Sequence, residues 1–233
     1  AGTAATASAA ASEPAIAESP AAAKIRALAG RVWMQGDGGA MRQLRNGDEV
    51  HAGSQIVTGR KSHVTIRFSD ESVFSLGPNS QMVVDKYAYD KDPEKNSLTT
   101  RIIKGTFRFV SGLIAKARPD NMNVNLGPVA TIGIRGTHVA GEVNERREKD
   151  GKVVEASAKV MLMEPEEGDA PSAIIVSNEY GSVVVDQPGY GTEIPDEHSP
   201  PAPVRKMQVR TINKLMRAIR SSVPRSMPKV RVP

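Results

Sequence analysis

Apolar and polar residues alternate along the chain between residues 56 and 84. Val64, Ile66 and Phe68 alternate with Thr65 and Arg67, the period-two pattern of a β-strand with one buried face. Together with this strand, the shorter apolar groups at 56–57, 73–76 and 82–84 form a series whose centres are about eight or nine residues apart. Turn-forming glycine, asparagine, aspartate and serine residues fill the gaps between them. The pattern predicts short strands separated by tight turns.

The same pattern continues towards the C-terminus. Further strands are predicted at 106–110, 160–162, 174–176 and 183–185, with a polar hairpin tip at 145–152. Between 110 and 145 the apolar positions surround a glycine-rich stretch and are Val124, Val129, Ile132, Ile134, Val139 and Val143. Many short strands at regular spacing predict an all-β body, which is either an elongated β-solenoid or a sandwich. Because the chain has four Phe, four Tyr and one Trp, we expect its core to consist mainly of Val, Ile, Leu and Met.

Composition divides the chain into four parts. Residues 1–24 are rich in alanine and proline, and we predict a disordered leader there because it has little apolar surface to bury. Residues 25–195 are the predicted β domain, 196–205 a stiff proline-rich linker, and 206–233 a basic helix and tail. A start at alanine followed by small residues is typical of a chain from which a signal peptide has been removed, and a trimmed chain is the alternative.

The one helical pattern lies at the C-terminus. Ile212, Leu215, Met216 and Ile219 have the i, i+3, i+4, i+7 spacing of one helix face, and basic residues lie on the opposite arc. This amphipathic helix can pack on the β body, enter a groove of a partner protein or bind an anionic membrane or polysaccharide surface. The candidate partner-binding residues are Arg210, Ile212, Lys214, Leu215, Arg217, Ile219 and Arg220.

Charge is concentrated in the same region. The chain has 31 Lys and Arg residues against 26 Asp and Glu residues, yet the stretch from Ser199 onward has basic residues and no acidic one. A slightly acidic body with a basic arm indicates an anionic partner for the arm. Nucleic acid is disfavoured because no aromatic residues are interleaved with the basic run.

Catalytic motifs are missing from the sequence. The absence of cysteine excludes disulfides, thiolate zinc sites and cysteine catalysis, and the four histidines have no metal-ligand spacing. Asp70 and Glu71 are adjacent, so on a strand they point to opposite faces, and a solvated turn is favoured over an acid–base pair. We therefore predict a non-enzymatic protein without metal or cofactor.

The order of several short motifs carries a resemblance to a known family. The motifs are Gly30-Arg31-Val32, Gly47-Asp48-Glu49-Val50, residues 53–59, Phe68-Ser69-Asp70-Glu71-Ser72, residues 76–80 and Ile132-Gly133-Ile134-Arg135-Gly136-Thr137. In this order and spacing, over about residues 25–195, the chain resembles the FecR domain. Glu71 departs from the family, which usually has glycine there, so a turn with positive φ would be strained at this position.

The resemblance implies a β-rich periplasmic body. FecR proteins are regulators that join such a body to an anti-sigma segment and a membrane helix and sense an outer-membrane transporter; we expect a free-standing member without those two segments. The chain is then an exported, non-enzymatic binding or scaffold protein of the bacterial envelope, whose β body docks another exported protein. The alternatives are a structural subunit of a larger exported assembly and a protein that binds or acts on glycans.

Arg135, Gly136 and Thr137 form the most specific motif, and their residue types suggest a structural role. Gly136 can adopt a turn conformation closed to other residues, the Arg135 guanidinium has five donors for backbone carbonyls, and Thr137 can bond the backbone locally. We predict a corner clamp, and an arginine that contacts a ligand is the alternative.

Overall fold

The computed structural model of the protein describes residues 20–36, 38–136, 138–164 and 172–208, together with residue 217. Within these residues the chain is built mostly of β-strands. The first nine strands are β1 Ala23–Ala29, β2 Val32–Gln35, β3 Arg42–Gln43, β4 Glu49–Val50, β5 Gln55–Thr58, β6 His63–Phe68, β7 Val73–Leu76, β8 Gln81–Ala88 and β9 Ser97–Val110. The others are β10 Met122–Leu126, β11 Ala130–Arg135, β12 His138–Asn144, β13 Arg147–Lys149, β14 Lys152–Val154, β15 Ser157–Leu162, β16 Ala173–Asn178, β17 Gly181–Val185, β18 Tyr190–Ile194 and β19 Arg205–Lys206. One short helix, α1 Leu113–Ala117, and two 3-10 turns, Pro93–Lys95 and Pro119–Asn121, join them.

The strands form two sheets. Sheet I has the antiparallel order β4-β1-β6-β7-β9-β12-β15-β18-β19. Sheet II has the order β3-β2-β5-β8-β9-β10-β11-β16-β17, in which the pair β9–β10 is parallel. β13 and β14 form a separate hairpin where the sequence predicts a polar hairpin tip. The predicted β-rich fold is thus confirmed.

One hydrophobic cluster fills the space between the two sheets. Burial alternates along the strands, as in β10, where Met122, Val124 and Leu126 are buried and the two asparagines between them are less so. Because residues two apart share one face of a strand, each sheet turns one apolar face to the other. The arrangement is therefore that of a sandwich, one of the two architectures predicted from the strand spacing.

The strand β9 belongs to both sheets. Its first part, up to Lys104, pairs with β8 and β10 in sheet II, and the part from Gly105 onward pairs with β12 in sheet I. Gly105 has a φ of 97°, and a Cβ atom added there would lie 2.1 Å from the Ser80 Oγ atom. Only glycine satisfies both constraints, so Gly105 is the residue at which the strand changes sheets.

The core expected from Val, Ile, Leu and Met also contains an aromatic cluster at the centre of sheet I. All four phenylalanines of the chain are buried there. The ring centroids are 5.3–6.3 Å apart in the pairs Phe68–Phe74, Phe74–Phe109 and Phe107–Phe109. The register of β7 and β9 explains the cluster, because it places Phe74 directly opposite Phe109. Such aromatic pairs stabilise a core beyond the area they bury.

The ordered body extends past both of its predicted ends. β1 begins at Ala23, and Ala22 and Ala23 are buried in the core. At the other end, the Ala202 N–H donates to the Glu193 carbonyl oxygen (2.9 Å), and β19 pairs with β18. The segment from 196 to 207 therefore lies against the β domain. The division into four domains stays a prediction. Lys206, the first residue of the predicted C-terminal helix and tail, lies in the strand β19, and residues 209–233 lie outside the described residues, Arg217 excepted.

Gly105→Ala tests the crossing of β9. We expect the free energy of unfolding to fall by about 2–4 kcal/mol, because the methyl group meets Ser80 and alanine disfavours the positive φ. Gly151→Ala is the matched control, since Gly151 also has a positive φ of 70° but no atom within 4 Å of its added Cβ; it should cost only about 1 kcal/mol. Chemical denaturation of both variants measures the difference, and equal losses would contradict the steric role of Ser80.

Candidate protein-binding surface

The predicted corner motif lies at the end of β11 in sheet II. The backbone of Arg135 pairs with Ala173 of β16, and Gly136 has a φ of 47°, in the left-handed region that favours glycine. The Arg135 side chain and Thr137 lie outside the described residues. The clamp role of the motif stays a prediction.

The candidate partner-binding residues of the C-terminal arm lie almost entirely outside the described part of the chain. Arg210, Ile212, Lys214, Leu215, Ile219 and Arg220 are all outside it. Arg217 is described, is helical and is exposed. Their predicted role in partner binding stays a prediction.

The turn between β6 and β7 is a buried polar lock. Asp70 and Ser72 are fully buried, whereas the Glu71 side chain is 62% exposed. The Asp70 carboxylate accepts hydrogen bonds from the Ser72 N–H (3.1 Å), the Ser72 hydroxyl (2.7 Å) and the Ile114 N–H (3.3 Å). The Ser72 hydroxyl in turn accepts from the Gly112 N–H (2.9 Å). The expectation of a solvated turn is therefore wrong for Asp70, and this carboxylate links the turn to the start of α1.

Gly112 and Tyr87 both lie against the backbone of Asp70. A Cβ atom on Gly112 would lie 2.1 Å from the Asp70 carbonyl oxygen, so no larger residue fits there. The Tyr87 hydroxyl oxygen accepts from the Asp70 N–H (3.0 Å). Burial raises the pKa of Tyr87 to about 12, and the Asp70 carboxylate adds to this shift.

The backbone of Glu71 has the strained conformation that the sequence suggests at this position. Its φ is 72°, so a glutamate occupies a left-handed position where the family usually has glycine. Its side chain points to solvent and lies 3.6 Å from the Arg67 guanidinium. Asp70 and Glu71 thus face different environments, and every oxygen of the Asp70 carboxylate is used in holding the fold. The geometry supports a structural role for this pair.

Metal and membrane sites are not found in the described ranges. The residues that the structure describes contain no group of three or more histidine, aspartate or glutamate side chains placed to hold a metal ion. No helix within those ranges has the length and hydrophobicity needed to cross a lipid bilayer.

The most exposed apolar surface on the two sheets lies at one end of sheet II. Ile175 of β16 and Val184 of β17 are 46% and 56% exposed, and the register places them directly opposite each other on the outer face. Gly133 of β11 lies opposite Ile175, so this position of the neighbouring strand contributes no side chain to that flank. Tyr180, in the turn between the two strands, is 45% exposed. We call this surface, formed by Ile175, Tyr180 and Val184, the β17 edge.

β17 is also an unpaired edge strand among the described strands. It pairs with β16 on one side, and no described strand pairs with its other side. Its five residues, Gly181–Val185, include no charged residue and no proline, although edge strands of natural proteins are commonly protected by such residues. An exposed, apolar and unprotected edge is a template for another β-strand.

The turn that precedes β17 is held rigidly. The Asn178 side-chain amide donates to the Val129 carbonyl oxygen (3.0 Å) and to the Ser199 carbonyl oxygen (2.8 Å), and its oxygen accepts from the Tyr180 N–H (3.0 Å). A Cβ atom on Gly181 would lie 3.2 Å from Pro200. The residues after β18 therefore brace the start of the edge strand, so the edge is presented in one fixed conformation.

Sequence reasoning predicted the strand at 183–185 and missed the surface. Three consecutive valines suggest a strand that is buried on both faces. In the structure Val185 is buried and Val184 is exposed. Tyr180 directly before the strand was the available signal, since an aromatic residue in a polar turn is typical of a binding surface.

Part of the β body is similar to a known protein family. Residues 54–159 match the family model described as FecR protein. The match confirms the resemblance of this stretch to the FecR domain. It begins just before β5 and ends within β15, so it includes the Asp70 lock and the crossing of β9. The β17 edge lies outside the matched residues. No curated protein matches the sequence significantly.

One solved structure has a similar arrangement at low identity. It is a candidate anti-sigma factor from Parabacteroides distasonis, with a TM-score of 0.47 and 10% sequence identity. The similarity covers 68% of this chain and 62% of that one, which is less than two thirds of its length.

Ser72→Ala tests the lock within the FecR domain. The variant leaves the Gly112 N–H buried without its acceptor, so we expect the free energy of unfolding to fall by about 1–3 kcal/mol. Ser75→Ala is the control, because the Ser75 hydroxyl is only half-buried and makes one hydroxyl contact, with Thr65 at 3.3 Å. Thermal and chemical denaturation compare the two. A Ser72→Ala variant as stable as Ser75→Ala would contradict the lock.

Alkaline pH tests Tyr87. Because the pKa of Tyr87 is raised to about 12 in the folded protein from its ordinary value of 10.0, neutral Tyr87 stabilises the fold fully below pH 10, and this contribution is lost as the pH rises towards 12. We expect the stability difference between wild type and Tyr87→Phe to shrink over that interval. Denaturation at several pH values measures it, and a difference independent of pH would contradict the assignment.

Proposed function

We propose that this protein is an exported, non-enzymatic binding or scaffold protein of the bacterial envelope, which docks another envelope protein on its β body. The observation that carries the proposal is the β17 edge, where exposed apolar side chains accompany an unpaired edge strand. The FecR domain in residues 54–159 supports a protein-binding role and an exported location. The motif Arg135-Gly136-Thr137 then acts as architecture within the body.

A partner segment in extended conformation suits this edge best. Its main chain would hydrogen-bond to the outer side of β17 and lengthen sheet II by one strand. Its alternate side chains would pack on Val184 and Ile175, and burial of each stabilises the complex by about 1.5 kcal/mol or more. The fixed turn at Asn178 reduces the conformational entropy lost on binding.

Charge at the two ends of β17 indicates the partner's flanks. Glu179 lies just before the strand and Asp186 just after it, and both are exposed. A partner strand with apolar residues in its middle and a basic residue at either end matches this pattern. Association of this kind forms faster at low salt.

Val184→Lys tests the proposal, with Val153→Lys as a matched control. Val184 and Val153 are 56% and 54% exposed, so neither change should affect folding, but Val153 belongs to the separate hairpin of β13 and β14. We expect Val184→Lys to weaken association with the partner by about tenfold or more, because it removes a valine side chain that the bound partner would bury. Val153→Lys should bind like the wild type.

The measurement is a photo-cross-link made in living cells. A photoreactive amino acid at position 184 should give a specific adduct with one envelope protein, and the same group at position 153 should not. Fractionation of the cells should find the adduct in the envelope. An adduct with a second copy of this chain would support the structural-subunit alternative instead. Hydrolysis of envelope glycans by the purified protein would overturn the non-enzymatic assignment.

A further inference from the structure

The outer face of sheet I is buried in one limited region. Ala140 of β12 is fully buried and Met161 of β15 is 2% exposed, although neither points into the core between the sheets. Their strand neighbours show the direction: Val139 belongs to the main core, and a Cβ atom on Gly141 would lie 2.5 Å from the Phe107 ring. Since side chains alternate along a strand, Ala140 lies on the opposite, outer face.

The outer face of sheet I is buried around β9, β12 and β15 and exposed at β6 and β1. His138, on the same side of β12, is 4% exposed, and the Nε atom of Arg108, directly opposite Ala140 on β9, is also buried. Arg67 of β6 and Lys24 of β1, which lie on the same face further along the sheet, are exposed. A cover therefore lies over β9, β12 and β15 and ends before β6.

The last described strand leads the chain to this region. β19 pairs with β18, and the Arg205 guanidinium lies 3.0 Å from the Glu193 carboxylate, which also contacts Lys159 at 3.2 Å. The Met207 N–H then donates to the Gly189 carbonyl oxygen (2.9 Å). The Met207 side chain is 5% exposed and packs in one cluster with Ala140 and Met161, with Met163 at its rim.

Met207 cannot supply the whole cover. At about 4.8 Å between neighbouring strands, β12 lies about 14 Å from β19, and β9 about 19 Å. A single methionine side chain reaches only part of that distance. After Gln208, the chain continues with the apolar stripe of the C-terminal segment. A helix of residues 209–219 would be about 16 Å long, which is close to the distance between β19 and β12.

We infer that residues 209–219 dock on the outer face of sheet I, with Ile212, Leu215 and Ile219 over Ala140 and Met161. The small side chain of Ala140 leaves room for a helix to approach the sheet, and methionine adapts to its surface. The basic residues then face outward, in agreement with the exposed, helical Arg217. The apolar stripe is used within the chain, and the basic arc is what the arm presents to an anionic partner. This inference does not depend on the β17 edge.

Thiol labelling in the full-length chain tests the docking, because the protein has no cysteine of its own. Ala140→Cys introduces a reporter under the proposed helix, and Val184→Cys is the exposed control. We expect a water-soluble maleimide to label Ala140→Cys about 100-fold more slowly than Val184→Cys. Adding Leu215→Asp should release the segment and speed the labelling of Ala140→Cys, whereas Lys214→Asp, on the basic arc, should leave it slow.

The outcomes separate the possible covers. Equal labelling of Ala140→Cys with Leu215→Asp and with Lys214→Asp would overturn the inference. Protection that disappears on dilution would also overturn it, because the cover would then come from a second copy. Met161→Cys reports on the same face and should behave as Ala140→Cys does, so the test remains decisive if Ala140→Cys fails to fold.

Discussion

The architecture depends on one strand that serves two sheets. β9 is the only element that supplies pairing partners to β8 and β10 on one side of the core and to β7 and β12 on the other, among the strands that the structure describes. The crossing is possible because Gly105 has a positive φ and lets the chain pass against Ser80. The two sheets therefore fold as one body, since disturbing β9 removes partners from both.

The phenylalanine cluster and the Asp70 lock lie side by side in sheet I, where β6, β7 and β9 are neighbouring strands. Phe68 packs on Phe74 and on Tyr87, and the Tyr87 hydroxyl is the acceptor for the Asp70 N–H. A buried carboxylate is costly unless its oxygens are hydrogen-bonded. Here backbone N–H groups and the Ser72 hydroxyl satisfy it, so the polar lock fixes the turn without opening the apolar core.

Local patterns in the sequence predicted those parts of the fold that depend on near neighbours. The alternation around Val64, Ile66 and Phe68 and the polar tip of the β13–β14 hairpin are such parts. The burial of Asp70 was not predictable in this way, because its partner Ile114 is 44 residues away, and the Ser72 hydroxyl that donates to it is held by Gly112, 40 residues from Ser72. The exposure of Val184 was missed for the same reason: edge position is a property of the whole sheet order, which a run of valines does not contain.

The two outer faces of the sandwich differ in what covers them, and this difference bears on how the protein can act. Met207 packs with Ala140 and Met161 on the outer face of sheet I, and the docking that we propose for the following segment would close this face to an apolar partner. The β17 edge of sheet II stays uncovered by described residues and is braced from behind by Pro200. A partner that needs apolar contact would then reach only sheet II, whereas an anionic surface would meet the basic arc over sheet I. If both proposals hold, one body can bind two partners at once, because the two surfaces would lie on opposite sides of a single core.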